Sequence, residues 1–259
     1  RRVVETINNA RFKAAPAGFK KLSSQDIAAF KNNKGGALML QEKGTKPSCA
    51  LPYELTADAA WQHDKQQLSV KMQAGKKVFG DRSAGAPFNV YTNLPYKDEQ
   101  SGQTVTGRSW AFAVAAGDAL SYEWPAGAFP GDAYHLHLHG PNGFYREFRG
   151  SAKHPQLDIT LTDEIDGRLK KKPTGNVVLR VTNNGSEPRE FSITDNAYHG
   201  RSVHRNIAAG ASADIVLSLQ KSHGWYDFSI AAAGFDTFSQ RYAGRVETGA
   251  ESMTDPFMA

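Results

Sequence analysis

The chain lacks several features that would assign it to a class of protein. Its 259 residues include one cysteine, Cys49, so an internal disulfide is excluded. No apolar run approaches the roughly 20 residues that a membrane-spanning helix needs. The sequence has no Gly-x-Ser-x-Gly turn, no phosphate-binding glycine loop ahead of a helix, and no aromatic and basic pattern of a nucleic-acid-binding sheet. It therefore predicts no catalytic residues and no nucleic-acid partner.

What the chain does contain is typical of an all-β protein. Its 24 glycines stand between short runs in which apolar and polar residues alternate. Hydrophobic residues make up 40% of the chain and charged residues 22%, a normal globular balance. The net charge of +5 favours a solvated basic surface, with weak attraction to anionic surfaces such as phospholipid head groups as the alternative.

Several patterns occur twice along the chain. The run YHLHLHG at 134–140 recurs in the form YDFSI at 226–230, and VAAG at 114–117 recurs as IAAG at 207–210. A nearly constant offset of about ninety residues is the length of one small β-sandwich. Arg146 and Arg241 follow at places that look equivalent, so both are predicted to be structural, pairing across strands. The pattern favours a duplicated binding or bracing module over an enzyme.

These patterns predict an all-β fold of two tandem β-sandwich domains related by internal duplication. We place the first sandwich at 50–163 and the second, with a C-terminal tail, at 173–259. Residues 1–49 are predicted to form an irregular linker, or a remnant of an upstream region, with one short helix. In that helix Ser23 or Ser24 is the N-cap and Asp26 lies in the first turn.

The three histidines of the first repeated run raise the question of a metal site. On a strand His135, His137 and His139 share one face, and His-x-His is a known zinc and copper ligand pattern. The aligned residues of the second copy are Asp227, Ser229 and Ala231, and the sequence places no carboxylate or cysteine at ligand spacing. A solvated polar face is therefore favoured, with metal binding as the alternative, and no cofactor is predicted.

Two basic segments are candidates for contact with anions or lipid. The loop at 198–205 holds Arg201, His204 and Arg205, and arginine binds phosphate or carboxylate in a bidentate fashion. Pairing of this loop with Asp195 or Glu190 is the favoured interpretation. The second segment is the run Lys170, Lys171 and Lys172 between the two predicted domains.

Longer motifs carry a resemblance to a known family. They are ALPYEL at 50–55, VFGDRSAGAPFNVY at 78–91, HGPNGFYREF at 139–148, HGWYDF at 223–228, AGRVETG at 243–249 and TDPFM at 254–258. In this order they resemble the C-terminal region of bacterial phosphocholine-preferring phospholipases C, over roughly residues 48–259. Residues 1–3 resemble the last trace of that family's catalytic domain, whereas residues 4–47 match it poorly.

The resemblance implies a function that the residues alone do not. The family's catalytic domain has an alkaline-phosphatase-like fold and lies upstream, and none of its motifs occurs here. The chain is then expected to be a non-catalytic module of an exported, secreted or periplasmic bacterial hydrolase that acts on phosphatidylcholine or sphingomyelin. The expected partners are that catalytic domain, a phospholipid membrane surface, and a chaperone or secretion partner. The alternatives are an independent carbohydrate- or metal-binding β-sandwich and a self-sufficient phosphodiesterase.

Overall fold

A short helix stands apart in sequence from the β structure. The computed structural model describes residues 22–32, 44–98, 100–167 and 172–258, and in the first of these ranges Ser24–Lys31 forms helix α1. The Ser23 hydroxyl accepts from the backbone N–H of Asp26 at 3.1 Å, and the Asp26 carboxylate accepts from the Ser23 N–H at 3.1 Å. This reciprocal capping confirms the predicted helix start with Ser23 as N-cap. Most of the predicted linker lies outside the described residues.

From Gly44 onward the described chain is built from strands, which confirms the all-β prediction. The strands are β1 (Pro47–Ser48), β2 (Leu55–Gln62), β3 (Gln67–Ala74), β4 (Ala86–Lys97), β5 (Thr104–Val114), β6 (Ala119–Pro125), β7 (Ala133–His139), β8 (Tyr145–Ser151), β9 (Leu157–Asp166), β10 (Lys172–Asn183), β11 (Arg189–Asp195), β12 (Val203–Ile207), β13 (Ser212–Leu217), β14 (Trp225–Ala232), β15 (Ser239–Arg245) and β16 (Ser252–Met253). Single 3-10 turns occur at Gly80–Arg82, Ala126–Ala128, Pro130–Asp132, Gln220–Ser222 and Pro256–Met258.

The same strand order occurs twice in these sheets. Strands β2, β3 and β6 form one three-stranded sheet, and β9, β10 and β13 form another in the matching order. The remaining large sheet has eight strands in the order β12-β11-β14-β15-β8-β7-β4-β5, so its two halves mirror each other. Each set of seven strands thus repeats the connectivity of the other. In this arrangement β9 corresponds to β2, whereas the sequence pattern placed residues 157–161 at the end of the first copy.

Equivalent strands meet where the two sets join. Strand β8 pairs with β15 in antiparallel fashion, with Arg146 opposite Tyr242. On the other layer the Leu161 N–H of β9 donates to the Asp58 carboxylate of β2 at 3.1 Å. Antiparallel contact between equivalent strands is the pattern that a local two-fold axis produces. The division into domains at 50–163 and 173–259 remains a prediction.

The core follows from the alternation of the strands. In β14 the side chains of Tyr226, Phe228 and Ile230 are buried, whereas Asp227 and Ser229 lie on the other face. Tyr242 of β15 donates its hydroxyl to the Ile159 carbonyl of β9 at 3.3 Å, which links the two layers. These inward and outward faces arise because a strand alternates its side chains with a period of two.

The ends of the β region are tied together. Pro47 and Ser48 of β1 pair with Met253 and Ser252 of β16, and the Trp225 indole donates to the Met253 carbonyl at 3.0 Å. Residues 47 and 48, which the sequence assigned to the linker, therefore lie against the C-terminal segment. In the part of the chain that the structure describes, no helix has the length and apolar character needed to span a membrane.

Candidate functional site

The histidine strand is β7, in the half of the eight-stranded sheet that the first repeat contributes. Strand β7 pairs with β4 on one side and β8 on the other. Its odd-numbered positions carry His135, His137 and His139, of which the first two are half-buried and the third is exposed. The alternate side chains of the strand are buried in the core. The three imidazoles therefore share the outer face of the sheet, as the period of two requires.

A carboxylate from the neighbouring strand meets these histidines. In the hairpin register His137 lies opposite Glu147, and His139 lies opposite Tyr145. The polar contacts run diagonally: His135 Nε2 is 2.7 Å from Glu147 Oε1, and His137 Nδ1 is 2.8 Å from the Tyr145 hydroxyl. The same hydroxyl donates to Glu147 Oε2 at 3.0 Å. These four side chains form one hydrogen-bonded cluster, which we call the histidine cluster.

The protonation of the histidine cluster follows from these contacts. Hydrogen bonding from His135, with a further bond from Tyr145, lowers the pKa of Glu147 to about 2. Burial and the nearby charge of His135 lower the pKa of His137, and burial lowers that of His139. Since the Tyr145 hydroxyl proton goes to Glu147, the Nδ1–H of His137 donates to the Tyr145 oxygen. At neutral pH the site therefore contains a carboxylate and a neutral His137 whose lone pair is on Nε2.

Aromatic rings hold the histidines in place. Tyr91 of β4 stacks on His137 with ring centroids 4.8 Å apart and on His139 at 5.6 Å. The Tyr145 ring lies 4.8 Å from that of His139. The rings are thus packed on both sides along the sheet surface, which restricts their rotation.

The sequence found the three histidines but not their carboxylate partner. Glu147 is far from His135 along the chain, and only the register of the β7–β8 hairpin brings the two together. The turn at Gly140 and Gly143 is the signal from which that register follows. In the second repeat Asp227 instead accepts two hydrogen bonds from Arg241, at 2.7 and 2.6 Å. The histidine cluster is therefore a feature of the first repeat, since the matching place in the second holds an ion pair.

The structure corrects the predicted equivalence of Arg146 and Arg241. Gly150 lies opposite Tyr134 in the first repeat, and Gly244 lies opposite Tyr226 in the second. Counted from these glycines, Arg146 matches Gln240, and both side chains point into the core, whereas Arg241 lies on the outer face. The prediction that these arginines are structural holds for both, but their positions differ because they lie on opposite faces of their strands.

Arg146 is a buried charge at the join of the two repeats. Its side chain is 1% exposed, and its guanidinium donates to the carbonyls of Tyr145 and Ala243 and to the Tyr226 hydroxyl. Burial raises the pKa of Asp58 to about 6 and that of Asp163 to about 7, although the nearby Arg146 opposes both shifts. Two carboxyls that resist ionisation therefore lie near one buried cation.

The candidate anion-binding residues that the structure describes belong to two different sheets. Arg201, His204 and Arg205 are exposed on or beside the edge strand β12, and Lys172 lies at the start of β10 in another sheet. Lys170 and Lys171 lie outside the described residues. Over the described ranges, no ion pair joins Arg201, His204 or Arg205 to Asp195 or Glu190. Asp195 instead accepts backbone hydrogen bonds from residues 197, 198 and 200, so the predicted pairing is wrong.

Comparison with known proteins places these features in a family. The family model described as the C-terminal domain of bacterial phospholipase C matches twice, at residues 47–151 and 157–245. A non-hemolytic phospholipase C of Pseudomonas aeruginosa is 34% identical over 86% of this chain and 30% of its own length. A non-hemolytic phospholipase C of Burkholderia pseudomallei is 32% identical over 85% of this chain and 29% of its own length.

Two further matches are weaker. A hemolytic phospholipase C of Pseudomonas aeruginosa is 28% identical over 84% of this chain and 30% of its own length. A crystal structure of red sea bream transglutaminase covers 88% of this chain and 34% of its own, with 10% identity and a TM-score of 0.20, too low to bear on the fold. The chain spans about 30% of the length of the phospholipases C that it matches. Because the family model covers most of the chain in two successive copies, the chain belongs to the family of C-terminal domains of bacterial phospholipases C.

Proposed function

We propose that this chain is a non-catalytic C-terminal module that braces the catalytic domain of an exported bacterial phospholipase C. The observation that carries the proposal is the double family match at residues 47–151 and 157–245. The relatives named phospholipase C extend far beyond the matched region, so the proposed partner is the catalytic domain upstream in the same enzyme. The parent enzyme is proposed to be secreted or periplasmic and to hydrolyse phosphatidylcholine or sphingomyelin.

The architecture supports a bracing role. Joining two strand sets edge to edge gives an eight-stranded sheet, and buried contacts such as Tyr242 to Ile159 fix the layers to each other. A rigid sheet of this kind offers a preformed surface to a neighbouring domain. The hydroxyl of Ser222, a potential nucleophile by residue type, donates to the carbonyls of Leu219 and Trp225 and so holds a turn.

The first test separates the module from a self-sufficient phosphodiesterase. The purified chain is assayed with p-nitrophenyl-phosphorylcholine and phosphatidylcholine, with and without zinc or calcium. We expect no turnover, because phosphodiester cleavage needs a positioned nucleophile and stabilisation of the transition-state charge. Turnover that co-purifies with the chain and disappears on substitution of one of its histidines or serines would overturn the proposal.

The second test addresses bracing directly. The parent enzyme is compared with a version truncated before the residue that corresponds to Gly44, and the chain is then added back as a separate polypeptide. We expect the truncated enzyme to unfold at a lower temperature, and the added chain to form a one-to-one complex that restores stability. A truncated enzyme with unchanged stability and activity, and no complex, would contradict a bracing role.

Contact with lipid is a separable part of the proposal. Arg201, His204 and Arg205 are exposed and basic, so electrostatic attraction to anionic head groups is the expected form of contact. Co-sedimentation with anionic and with phosphatidylcholine liposomes, at low and high salt, tests it. We expect binding to anionic liposomes at low salt, and weaker binding by a variant with glutamine at all three positions. A chaperone or secretion partner, proposed on the resemblance alone, is tested by co-purification from the exporting cell.

A further inference from the structure

We propose that the histidine cluster is a binding site for a divalent transition-metal ion, with zinc as the ion that fits it best, held by His135, His137 and Glu147. One ligand atom from each residue lies within 4.8 Å of the other two. The inference does not depend on the proposed bracing function. The histidine cluster lies on an outer face of the sheet, and the proposed bracing role gives that cluster no function.

The donor set selects the class of ion. Two imidazole nitrogens and one carboxylate oxygen are a recurrent zinc set, with a fourth position left to water, and imidazole donors disfavour magnesium and calcium. Zinc bonds of about 2.0–2.1 Å in a tetrahedron place ligand atoms about 3.3 Å apart. The three side chains therefore need to shift only modestly to enclose the ion. His135 Nε2 and Glu147 Oε1 already lie 2.7 Å apart.

The surrounding residues match what a metal site requires. Metal-bound histidines commonly donate their second ring N–H to an oxygen that fixes the ring, and Tyr145 accepts such a bond from His137 at 2.8 Å. Tyr91 stacks on His137 from the neighbouring strand β4. Binding needs neutral imidazoles and an ionised carboxylate, so zinc affinity should fall as the pH is lowered. The ligands are half-buried on the outer face, so an ion reaches them from solvent.

The rigid strands add a second argument. All three ligands lie on two adjacent strands of one hairpin, so their separation is set by the sheet and needs no ordering of a loop. The second repeat offers an internal contrast, because Ser229 replaces His137 there and Arg241 pairs with Asp227. The Arg241 guanidinium also lies 4.0 Å from Glu147 Oε2, so this cation borders the proposed site. The site is therefore expected once in each chain.

The test is a zinc titration of the full chain, with any affinity tag removed and a competing chelator present. We expect one zinc ion per chain, and His135→Ala and Glu147→Gln each to weaken binding by well over tenfold. Tyr145→Phe, which removes a positioning hydroxyl, is expected to weaken binding about tenfold or more. X-ray absorption of the zinc complex should show nitrogen and oxygen donors at about 2.0 Å and no sulfur.

The controls exclude adventitious metal. His204→Ala removes an exposed histidine outside the cluster, and Cys49→Ser removes the exposed free thiol. Both variants are expected to bind zinc as the unmodified chain does. Circular dichroism of each variant in chelator verifies that it is folded. Failure to bind one zinc ion per chain, or binding that survives both His135→Ala and Glu147→Gln in folded protein, would overturn the proposal.

Discussion

The guanidinium of Arg146 donates to the main-chain carbonyl of Ala243 at 2.9 Å, although the two residues belong to different repeats. The same group lies over the Phe144 ring at 4.0 Å from its centroid. A buried cation that bonds across the join between β8 and β15 contributes to holding the two halves in register.

Substitution of Arg146 by methionine is expected to destabilise the protein by about 3–5 kcal/mol at pH 8, because Asp58 and Asp163 then lose their nearby cation. At pH 5 the loss should be smaller, since both carboxyls are protonated below pKa values of about 6 and about 7. Urea unfolding at the two pH values measures the difference. Arg149→Met, on the exposed face of the same strand, is the control. Equal losses at pH 5 and pH 8 would show that the carboxyls do not respond to Arg146.

Asp163→Asn is expected to stabilise the protein at high pH. Asp163 lines a small cleft with Tyr53, Tyr226 and Glu247, and burial raises its pKa from 3.8 to about 7. A raised carboxyl pKa gives stability that is present below pH 3.8 and is lost as the pH rises through 7. The variant should therefore gain about 1–3 kcal/mol at pH 8 and nothing at pH 4. Denaturant titrations across this range, with the exposed Asp236→Asn as control, measure the gain, and a constant gain at all pH values would refute this account.

Phe228→Ala is expected to cost about 3–5 kcal/mol of unfolding free energy. Phe228 is 4% exposed and stacks on Tyr242 with centroids 5.8 Å apart, so truncation leaves a cavity in the core. Its neighbour Ser229 points to the outer face, where its hydroxyl contacts Asn196, and Ser229→Ala should cost less than about 1 kcal/mol. Chemical denaturation of both variants checks the prediction. Similar losses of unfolding free energy for the two variants would contradict the assignment of Phe228 to the core and Ser229 to the outer face.

Gly150→Ala is expected to destabilise the protein by about 1–3 kcal/mol through overpacking. A methyl group at this position would lie 2.7 Å from Cζ of Tyr134 on the paired strand, and the ring is buried and has little room to move. Gly167 is the matched control, since a methyl group there meets no atom within 4 Å. Thermal unfolding of the two variants provides the comparison. A neutral Gly150→Ala would indicate that the Tyr134 ring shifts freely.

Much of the fold was determined by the sequence itself. Alternation with a period of two identified strands such as β7 and β14, because this periodicity is local. The helix N-cap at Ser23 could be predicted for the same reason, because it involves residues three positions apart in the sequence. The recurrence of YHLHLHG and YDFSI indicated the duplication, and the order of longer motifs indicated the family.

Only the tertiary structure decided which strands lie side by side. Alternation says which face a residue takes but not which strand is its neighbour, so the join of β8 to β15 and the burial of Arg146 did not follow from the pattern. The same holds for Glu147, which reaches His135 through the hairpin register. Pairing depends on turn geometry and on contacts between residues far apart in sequence, and a shift of one residue reverses every side chain. Arg146 and Arg241, alike in sequence, took opposite faces for this reason.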